Sequence, residues 1–373
     1  MPPIASARPT RFARFRSPAA MVAAAFGLWS GSSALTSAVA ISSGTSGSGA
    51  SPSVAAISLA PLDAEGPVRC DPTKVVSSER CATCHAGEFR TWSKTPHALT
   101  FERLHQMPEA KAIAQRMGFS SIKRGGICLD CHYTVQAHGD KLKPISGVSC
   151  ESCHGAASDW VTLHNDYGGP GATRDGESDA HRQERIAGSI AAGMRNPRNL
   201  YRVAQSCLDC HTVRREELVN HGGHKPGSLD FELVAWSQGQ VRHNFLRTDN
   251  TSNEPSSPER LRVMLVVGTI ADLEYSTRAT AEATTVATYG LTSAQRAADR
   301  ALRLKGIQDE IRHPLVEQIL LTFAEADLST NNREQLVAIA DRIRDLGLEF
   351  ADSVDGSTLG VLDARLPAPA SYR

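Results

Sequence analysis

Three things are scarce in this chain: aromatic side chains, an excess of either charge, and long apolar runs. Aromatic residues make up only 5% of the 373 residues, and apolar runs are few over residues 70–245, so no conventional core of large side chains is expected there. Basic and acidic residues are equal in number, at 40 each, which argues against a nucleic-acid binder. Beyond residue 40, no apolar stretch approaches the length that spans a membrane.

Cysteine, in contrast, follows a strict pattern. All but one of the nine cysteines fall into four copies of Cys-x-x-Cys-His. The copies are Cys81–Cys84–His85, Cys128–Cys131–His132, Cys150–Cys153–His154 and Cys207–Cys210–His211. This pentapeptide is typical of c-type haem attachment. Two thiols on one helical turn can add to the two vinyl groups of one porphyrin, and the next histidine supplies a proximal nitrogen to iron.

Two other uses of these cysteines fit less well. Zinc ribbons also contain paired Cys-x-x-Cys, but they do not need a histidine after every second cysteine. A disulfide framework would leave the four histidines unexplained. The sequence therefore predicts four covalently attached haem c groups, each with its iron. Cys70, which precedes the first motif, is left as a free buried thiol or a partner in an intermolecular disulfide.

The N-terminus supports this interpretation independently. Residues 1–16 hold four arginines and no acidic residue, an apolar run extends from Ala19 to Trp29, and small residues end at Ala38-Val39-Ala40. This is the pattern of a secretory signal peptide cleaved after Ala40. Removing it leaves 36 basic against 40 acidic residues and no transmembrane segment. Haem c is attached outside the cytoplasmic membrane, so we expect a periplasmic or otherwise extracytoplasmic protein.

The rest of the chain divides by composition into a linker, a haem region and a helical region. The haem region is short for four haems, so its core is expected to be largely porphyrin, with short helices, irregular loops and almost no sheet. The fold class is thus mainly α, a haem-packed domain followed by an antiparallel helical bundle. The boundaries are 1–40 (signal peptide), 41–69 (Ser/Gly/Ala-rich linker), 70–250 (tetrahaem domain), 256–352 (helical domain) and 353–373 (tail).

Nine further histidines are candidates for the second axial position on each iron. A histidine close in sequence to a motif cannot easily reach the far face of the same haem, which excludes His138 from the haem at His132. For the same reason His97 and His164 more naturally bind a neighbouring haem. Such cross-ligation draws haems close together.

Two longer strings resemble a known family. They are Trp92-Ser93-Lys94-Thr95-Pro96-His97-Ala98 after the first motif, and Gly147 to Gly155 around the third, with His164 following. Both are similar to the tetrahaem cytochrome that accepts electrons from hydroxylamine oxidoreductase in ammonia oxidisers, over about residues 79–165. The resemblance implies a mainly helical fold with closely stacked haem pairs. It also implies His97 as distal ligand of the third haem, at His154, and His164 as distal ligand of the first, at His85.

The ligands of the other two haems stay open. In the family the second haem lacks a protein distal ligand, and the fourth takes a later histidine. After the fourth motif, His224 and His243 are favoured over His221 as ligands of the haems at His211 and His132, without an order between them. The methionines at 107, 117 and 194 rank below histidine, and His105, His138, His181 and His313 are taken as surface or supporting residues.

The C-terminal region predicts four helices. Ser257-Pro258 offers an N-cap with proline at the first helical position. Further helices are expected over 292–311, over 315–326 and from Asn332 through Phe350, with His313-Pro314 as a break. Asn331 and Glu334 have capping-box spacing. These helices either cover the haem domain or dock a redox partner or a second copy of the chain.

Two functions are consistent with this pattern. The first is an electron carrier between redox partner proteins such as a periplasmic dehydrogenase, a quinol-linked complex or a terminal reductase. The second is an oxidoreductase acting on a small nitrogen or sulfur species at one open haem, for which the haem at His132 is the candidate, with Tyr133, His138 and Asp140 nearby as proton donors. The abundance of spare histidines favours the carrier.

Overall fold

The computed structural model describes residues 70–248 and 250–373, and residue 247 by its backbone alone. The predicted signal peptide (1–40) and linker (41–69) lie outside the described residues. The described residues belong to one compact unit that is mainly helical, as the sequence predicts. Among them, no helix is both long and apolar enough to cross a membrane.

Short helices and one hairpin carry the first three motifs. The helices are α1 (Ser78–Ala82), α2 (Ala86–Trp92), α3 (Pro96–Arg103), α4 (Pro108–Arg116), α5 (Gly126–His132) and α6 (Cys150–His154). Strands β1 (Thr134–His138) and β2 (Lys141–Ser146) pair antiparallel between the second and third motifs. Gly139 makes their turn at φ 58°, a conformation that glycine adopts without steric cost.

Longer helices follow towards the C-terminus. They are α7 (Asp179–Ala191), α8 (Leu200–His211), α9 (Glu216–Asn220), α10 (Leu233–Ser237), α11 (Pro258–Ala281), α12 (Thr288–Ile311), α13 (Pro314–Ala324) and α14 (Arg333–Ser353). Helix α11 begins as its sequence predicts, because the Ser257 hydroxyl accepts the Arg260 backbone N–H and Pro258 stands in the first turn. Helix α12 ends before His313-Pro314, with Arg312 in the left-handed region.

The predicted capping box before α14 is wrong. The N-cap is Asn332, whose side chain makes no capping hydrogen bond with its own helix start. Asn331 takes a left-handed φ of 64°, and its backbone N–H donates to the Ala283 carbonyl. A tertiary contact with the end of α11 therefore determines the conformation before this helix.

The main side-chain core surrounds α11. This helix is buried on nearly every side by α8, α12 and α14, and the core also includes α10. Helix α8 carries the fourth motif and contributes Tyr201 and Leu208, both fully buried, to the same core. Residues from α8 of the haem region and from the C-terminal helices thus belong to one hydrophobic core. Around the second motif, the side-chain cluster is small, as expected: Ala114, Ile122, Cys128 and Tyr133.

Candidate haem-ligand site

Helix ends present the motif histidines. Helices α5, α6 and α8 each finish at the histidine of their motif: His132, His154 and His211. In the first motif α1 stops at Ala82, and His85 is the N-cap of α2. One helical turn places the two motif cysteines and the following histidine on neighbouring positions of one surface. This is the local geometry that haem attachment requires.

Each motif histidine faces a second histidine from elsewhere in the chain. His85 stacks opposite His164, with ring centroids 6.3 Å apart. His211 lies opposite His97, with ring centroids 6.2 Å apart.

The other two motifs repeat this separation. His132 faces His224 at 6.2 Å, and His154 faces His243 at 6.1 Å. A metal–imidazole bond is about 2 Å long, and a ring centre lies about 1 Å behind its nitrogen, so two axial imidazoles on one metal ion have centres about 6 Å apart. All four pairs therefore have the separation of two imidazoles that share one iron.

Backbone carbonyls orient the rings of three of these partner histidines. Each Nδ1 lies 2.6–2.7 Å from a carbonyl oxygen, and because a carbonyl only accepts, each Nδ1–H donates. The donor–acceptor pairs are His164–Val161, His224–Lys225 and His243–Val241. The proton on Nδ1 leaves Nε2 with a free lone pair, the usual arrangement of a metal-binding histidine.

Three of the motif histidines are held in the neutral form that binds iron. Burial lowers the pKa of His132, His154 and His211 to about 4, so their imidazoles are neutral at physiological pH. Metal binding needs the neutral ring. The Nδ1 of His211 also contacts the Ser228 hydroxyl at 2.9 Å, which fixes the orientation of that ring.

The motif cysteines bring the four motifs together in pairs. Cys81 of the first motif hydrogen-bonds Cys150 of the third, and Cys131 of the second hydrogen-bonds Cys210 of the fourth. The third motif lies beside the fourth, because their helices α6 and α8 are in contact. The attachment points therefore follow the spatial order first, third, fourth, second.

The partner of His97 differs from the one that the resemblance implied. His97 faces His211 and not His154, whose partner is His243. The reason is the docking of α3, whose His97 carbonyl accepts the Val148 N–H while the Thr100 hydroxyl donates to the His132 carbonyl. This docking holds α3 against β2 and against α5, the helix of the second motif.

The positions of the other predicted ligand histidines are as follows. His164 lies opposite His85, as the resemblance implied. His224 lies opposite His132, one of its two expected partners, whereas His243 lies opposite neither His132 nor His211. His221 is exposed, and its Nε2 contacts the Arg116 carbonyl at 2.9 Å.

Sequence reasoning missed Glu151, which lies between the two cysteines of the third motif. Its side chain is buried, with 1% of the residue exposed, and accepts the backbone N–H groups of Val76, Ser77 and Ala157 at 2.9 Å each. The carboxylate thus ties the segment before the first motif to the third motif. Nothing in the sequence pattern distinguishes this residue from a solvent-exposed glutamate.

Cys70 belongs to the same junction. Its thiol donates to the Glu151 backbone carbonyl at 2.7 Å, and burial raises the pKa of the thiol to about 12. A thiol with so high a pKa is inert at physiological pH. The geometry fits the free buried thiol, one of the two states that the sequence left open.

The donor set fits haem c. Four motif imidazoles each stand beside two thiols and opposite a second imidazole, which is what a covalently attached, six-coordinate haem needs. A tetrahedral zinc site needs a different arrangement, with several ligands converging on one point. Within the described ranges, no group of three or more His, Cys, Asp or Glu side chains is arranged to hold a metal ion.

The motifs and the ligand geometry resemble those of c-type cytochromes, which bind haem covalently, and part of the chain is similar to proteins of this class. Residues 80–155 match the family described as "Cytochrome c554 and c-prime". A segment of 102 residues is 29% identical to the protein named cytochrome c-554 of Nitrosomonas europaea, covering 24% of this chain and 42% of that relative. The chain thus matches less than half the length of this relative. No solved structure matches significantly. The resemblance found in the sequence is confirmed over this segment.

Proposed function

We propose that this protein is an exported tetrahaem cytochrome that carries electrons between redox proteins through four haems, each with two axial histidines. The observation that carries the proposal is the set of four histidine pairs, each with its ring centroids 6.1–6.3 Å apart. The eight motif cysteines and the histidines at 85, 132, 154 and 211 hold the haems, and those at 97, 164, 224 and 243 complete the coordination.

The residues of the chain set up electron transfer without a substrate pocket. When bound, each haem supplies an iron that changes between the ferric and ferrous states. With both members of each pair bound, the eight histidines would leave no coordination position open to a substrate. Paired histidines favour lower potentials than histidine with methionine. The carbonyl acceptors of His164, His224 and His243 hold the rings in place during the redox change.

The order of the motifs supports transfer from haem to haem. The paired cysteines Cys81–Cys150 and Cys131–Cys210 place the first motif against the third and the second against the fourth. Attachment points in direct contact are consistent with the closely stacked haem pairs that the resemblance implies.

The alternative function, an enzyme with one open haem, needs a free position at His132. His224 faces His132 at 6.2 Å and so occupies the place of a substrate. The suggested proton donors do not support it either, because Tyr133 packs edge-on against Phe101 while His138 lies exposed at the end of β1. No contact among the described residues favours turnover at this haem over electron transfer.

The proposal places the protein outside the cytoplasm, because haem c is attached there. Its partners would be redox proteins, such as a periplasmic dehydrogenase, a quinol-linked complex or a terminal reductase. A second copy of the chain is a further partner for the C-terminal helices.

Mass spectrometry and electron paramagnetic resonance test the proposal. The exported chain should be heavier by four haems, and the oxidised protein should show only low-spin ferric signals. His97→Ala and His224→Ala should each convert one haem to high spin, because each removes one axial imidazole. His221→Ala is the matched control, since this neighbouring histidine contacts a carbonyl and faces no motif histidine.

Three results would contradict the proposal. They are a mass increase below four haems, a high-spin signal in the unaltered protein that changes on adding nitrite, and unchanged spectra in both histidine variants. The second of these would favour the enzyme.

A further inference from the structure

A buried ion pair connects the C-terminal helices to the fourth motif. Arg296 of α12 binds Asp272 of α11 through two hydrogen bonds, Nε to Oδ1 at 2.7 Å and Nη2 to Oδ2 at 3.1 Å. Both side chains are at most 4% exposed. The remaining nitrogen of Arg296, Nη1, donates to the backbone carbonyl of His211 at 3.1 Å. A side chain from a helix outside the matched segment thus contacts a haem-motif histidine.

A second arginine makes this cluster positively charged. Arg300 Nε donates to Asp272 Oδ2 at 2.7 Å, and its Nη2 donates to the Leu229 carbonyl at 2.7 Å. Two guanidinium groups therefore share one carboxylate, so these three side chains together carry one net positive charge, while Asp230, which also interacts with Arg296 and His211, pairs with Arg373. Burying charge is costly, and apolar residues of similar volume would often serve stability equally well. A role beyond packing therefore merits a test.

The chain around His211 is shaped to admit this cluster. Ser228 donates its N–H to the His211 carbonyl at 2.8 Å, and its hydroxyl contacts the His211 ring. Gly227 has a φ of 95°, and a Cβ there would lie 2.5 Å from the His211 oxygen and 3.1 Å from Arg296 Nη1. Only glycine leaves room for the guanidinium to reach the carbonyl.

We propose that the cluster of Asp272, Arg296 and Arg300 is a device by which the C-terminal helices position His211 and raise the reduction potential of the fourth haem. The inference rests on the proposed function, because it requires a haem at His211. Arg296 and Arg300 are positioning residues, since they act on the iron through its ligand and through their charge. The C-terminal helices then do more than cover the haem domain.

The direction of the change in reduction potential follows from electrostatics. Oxidation adds one positive charge at the iron, so a positive charge held nearby favours the ferrous state. At an effective dielectric constant of about 20, one charge at roughly 10 Å changes the ferrous-to-ferric ratio roughly tenfold. For a one-electron couple, a tenfold change corresponds to about 59 mV.

Variants that change the local charge in opposite directions distinguish an effect on the haem potential from an effect on packing. Asp272→Asn removes the negative charge and should raise the potential of the fourth haem. Arg300→Gln removes a positive charge from a side chain that is 13% exposed, so it should fold and lower that potential. Arg296→Lys keeps the charge and should leave the potential closest to that of the unaltered protein. A redox titration followed by electron paramagnetic resonance gives each potential, and the signal lost in His97→Ala identifies the fourth haem.

A matched control comes from the same helix. Glu274 is equally buried on α11 and also contacts α8, where it accepts the Tyr201 hydroxyl at 2.8 Å, and it pairs with Arg278. Tyr201 stands ten residues before His211, about 15 Å along the helix. Glu274→Gln should therefore destabilise the protein and leave the potential of the fourth haem unchanged.

The outcomes distinguish the two proposals. Opposite shifts for Asp272→Asn and Arg300→Gln, confined to one haem, would support the device. Shifts of the same sign, no shift, or an equal shift in Glu274→Gln would overturn it while four low-spin haems remain. If Asp272→Asn does not fold, the comparison of Arg300→Gln with Arg296→Lys still tests the proposal. Of these two variants, only Arg300→Gln should lower the potential of the fourth haem. A missing haem or a high-spin fourth haem in the unaltered protein would instead contradict the proposed function.

Discussion

Replacing Glu151 by glutamine tests whether one carboxylate connects the first and third motifs. Its Oε1 accepts the N–H groups of Val76 and Ala157 at 2.9 Å, and its Oε2 accepts the Ser77 N–H at 2.9 Å. Glutamine has nearly the same shape but only one accepting oxygen. Whichever way the amide is turned, at least one backbone N–H faces an NH₂ group and has no acceptor.

The expected loss of stability follows from these bonds. A hydrogen bond to a charged group contributes roughly 1.5–3 kcal/mol, and a buried donor left without an acceptor costs about 1–3 kcal/mol. The remaining bonds to the glutamine oxygen become neutral and weaker. We therefore expect Glu151→Gln to lower the free energy of unfolding by about 3 kcal/mol.

Denaturant unfolding of the haem-loaded protein measures this change. Glu79→Gln is the control, because Glu79 is exposed in the first turn of α1 and should lose only a few tenths of a kcal/mol. The variant retains every cysteine and histidine of the motifs, so its mass should still show four haems. Equal stability of Glu151→Gln and Glu79→Gln would refute the reasoning, as would a variant that loses a haem without losing stability.

Two further predictions concern packing and pH. Gly347→Ala should destabilise the protein by about 1–3 kcal/mol, because the new Cβ would lie 2.2 Å from Tyr201 Cε2. Gly360→Ala, with nothing within 4 Å, should change the midpoint of thermal unfolding little. Arg185 lowers the pKa of the Glu177 carboxyl to about 2, so the stability from this pair is present above the unfolded pKa of about 4.3 and is lost as pH falls towards 2. The Glu177→Gln variant should not show this loss of stability on acid unfolding. An acid unfolding profile identical to that of the unaltered protein would contradict the assignment.

The parts of the site set by local covalent chemistry are readable from the sequence. Two thioether bonds to one porphyrin fix the spacing of Cys128, Cys131 and His132, whatever the fold around them. The start of α11 is readable for a similar reason, because Ser257 and Pro258 act on adjacent backbone groups. Such features need no knowledge of tertiary structure.

The pairing of distant histidines depends on packing and could not be read in the same way. His97 faces His211 because α3 docks through Val148 and the His132 carbonyl, contacts that leave no periodic pattern in the sequence. The predicted cap of α14 was wrong for the same reason, since Asn331 is held by a contact with Ala283, just after the end of α11. The resemblance, although limited in length, was enough to predict His97 as a ligand. Its partner could be identified only from the packing of the whole chain.

The position of His224 and His243 in the chain has a consequence for biogenesis. Both follow the fourth motif, yet they face the second and third. A polypeptide translocated from its N-terminus presents the cysteines at 128 and 150 to the attachment machinery well before either histidine crosses the membrane. Under the proposed ligation, these two haems would lack their second axial histidine until the later segment packs against them. The other two haems differ, because His164 follows His85 before the fourth motif and His97 precedes His211.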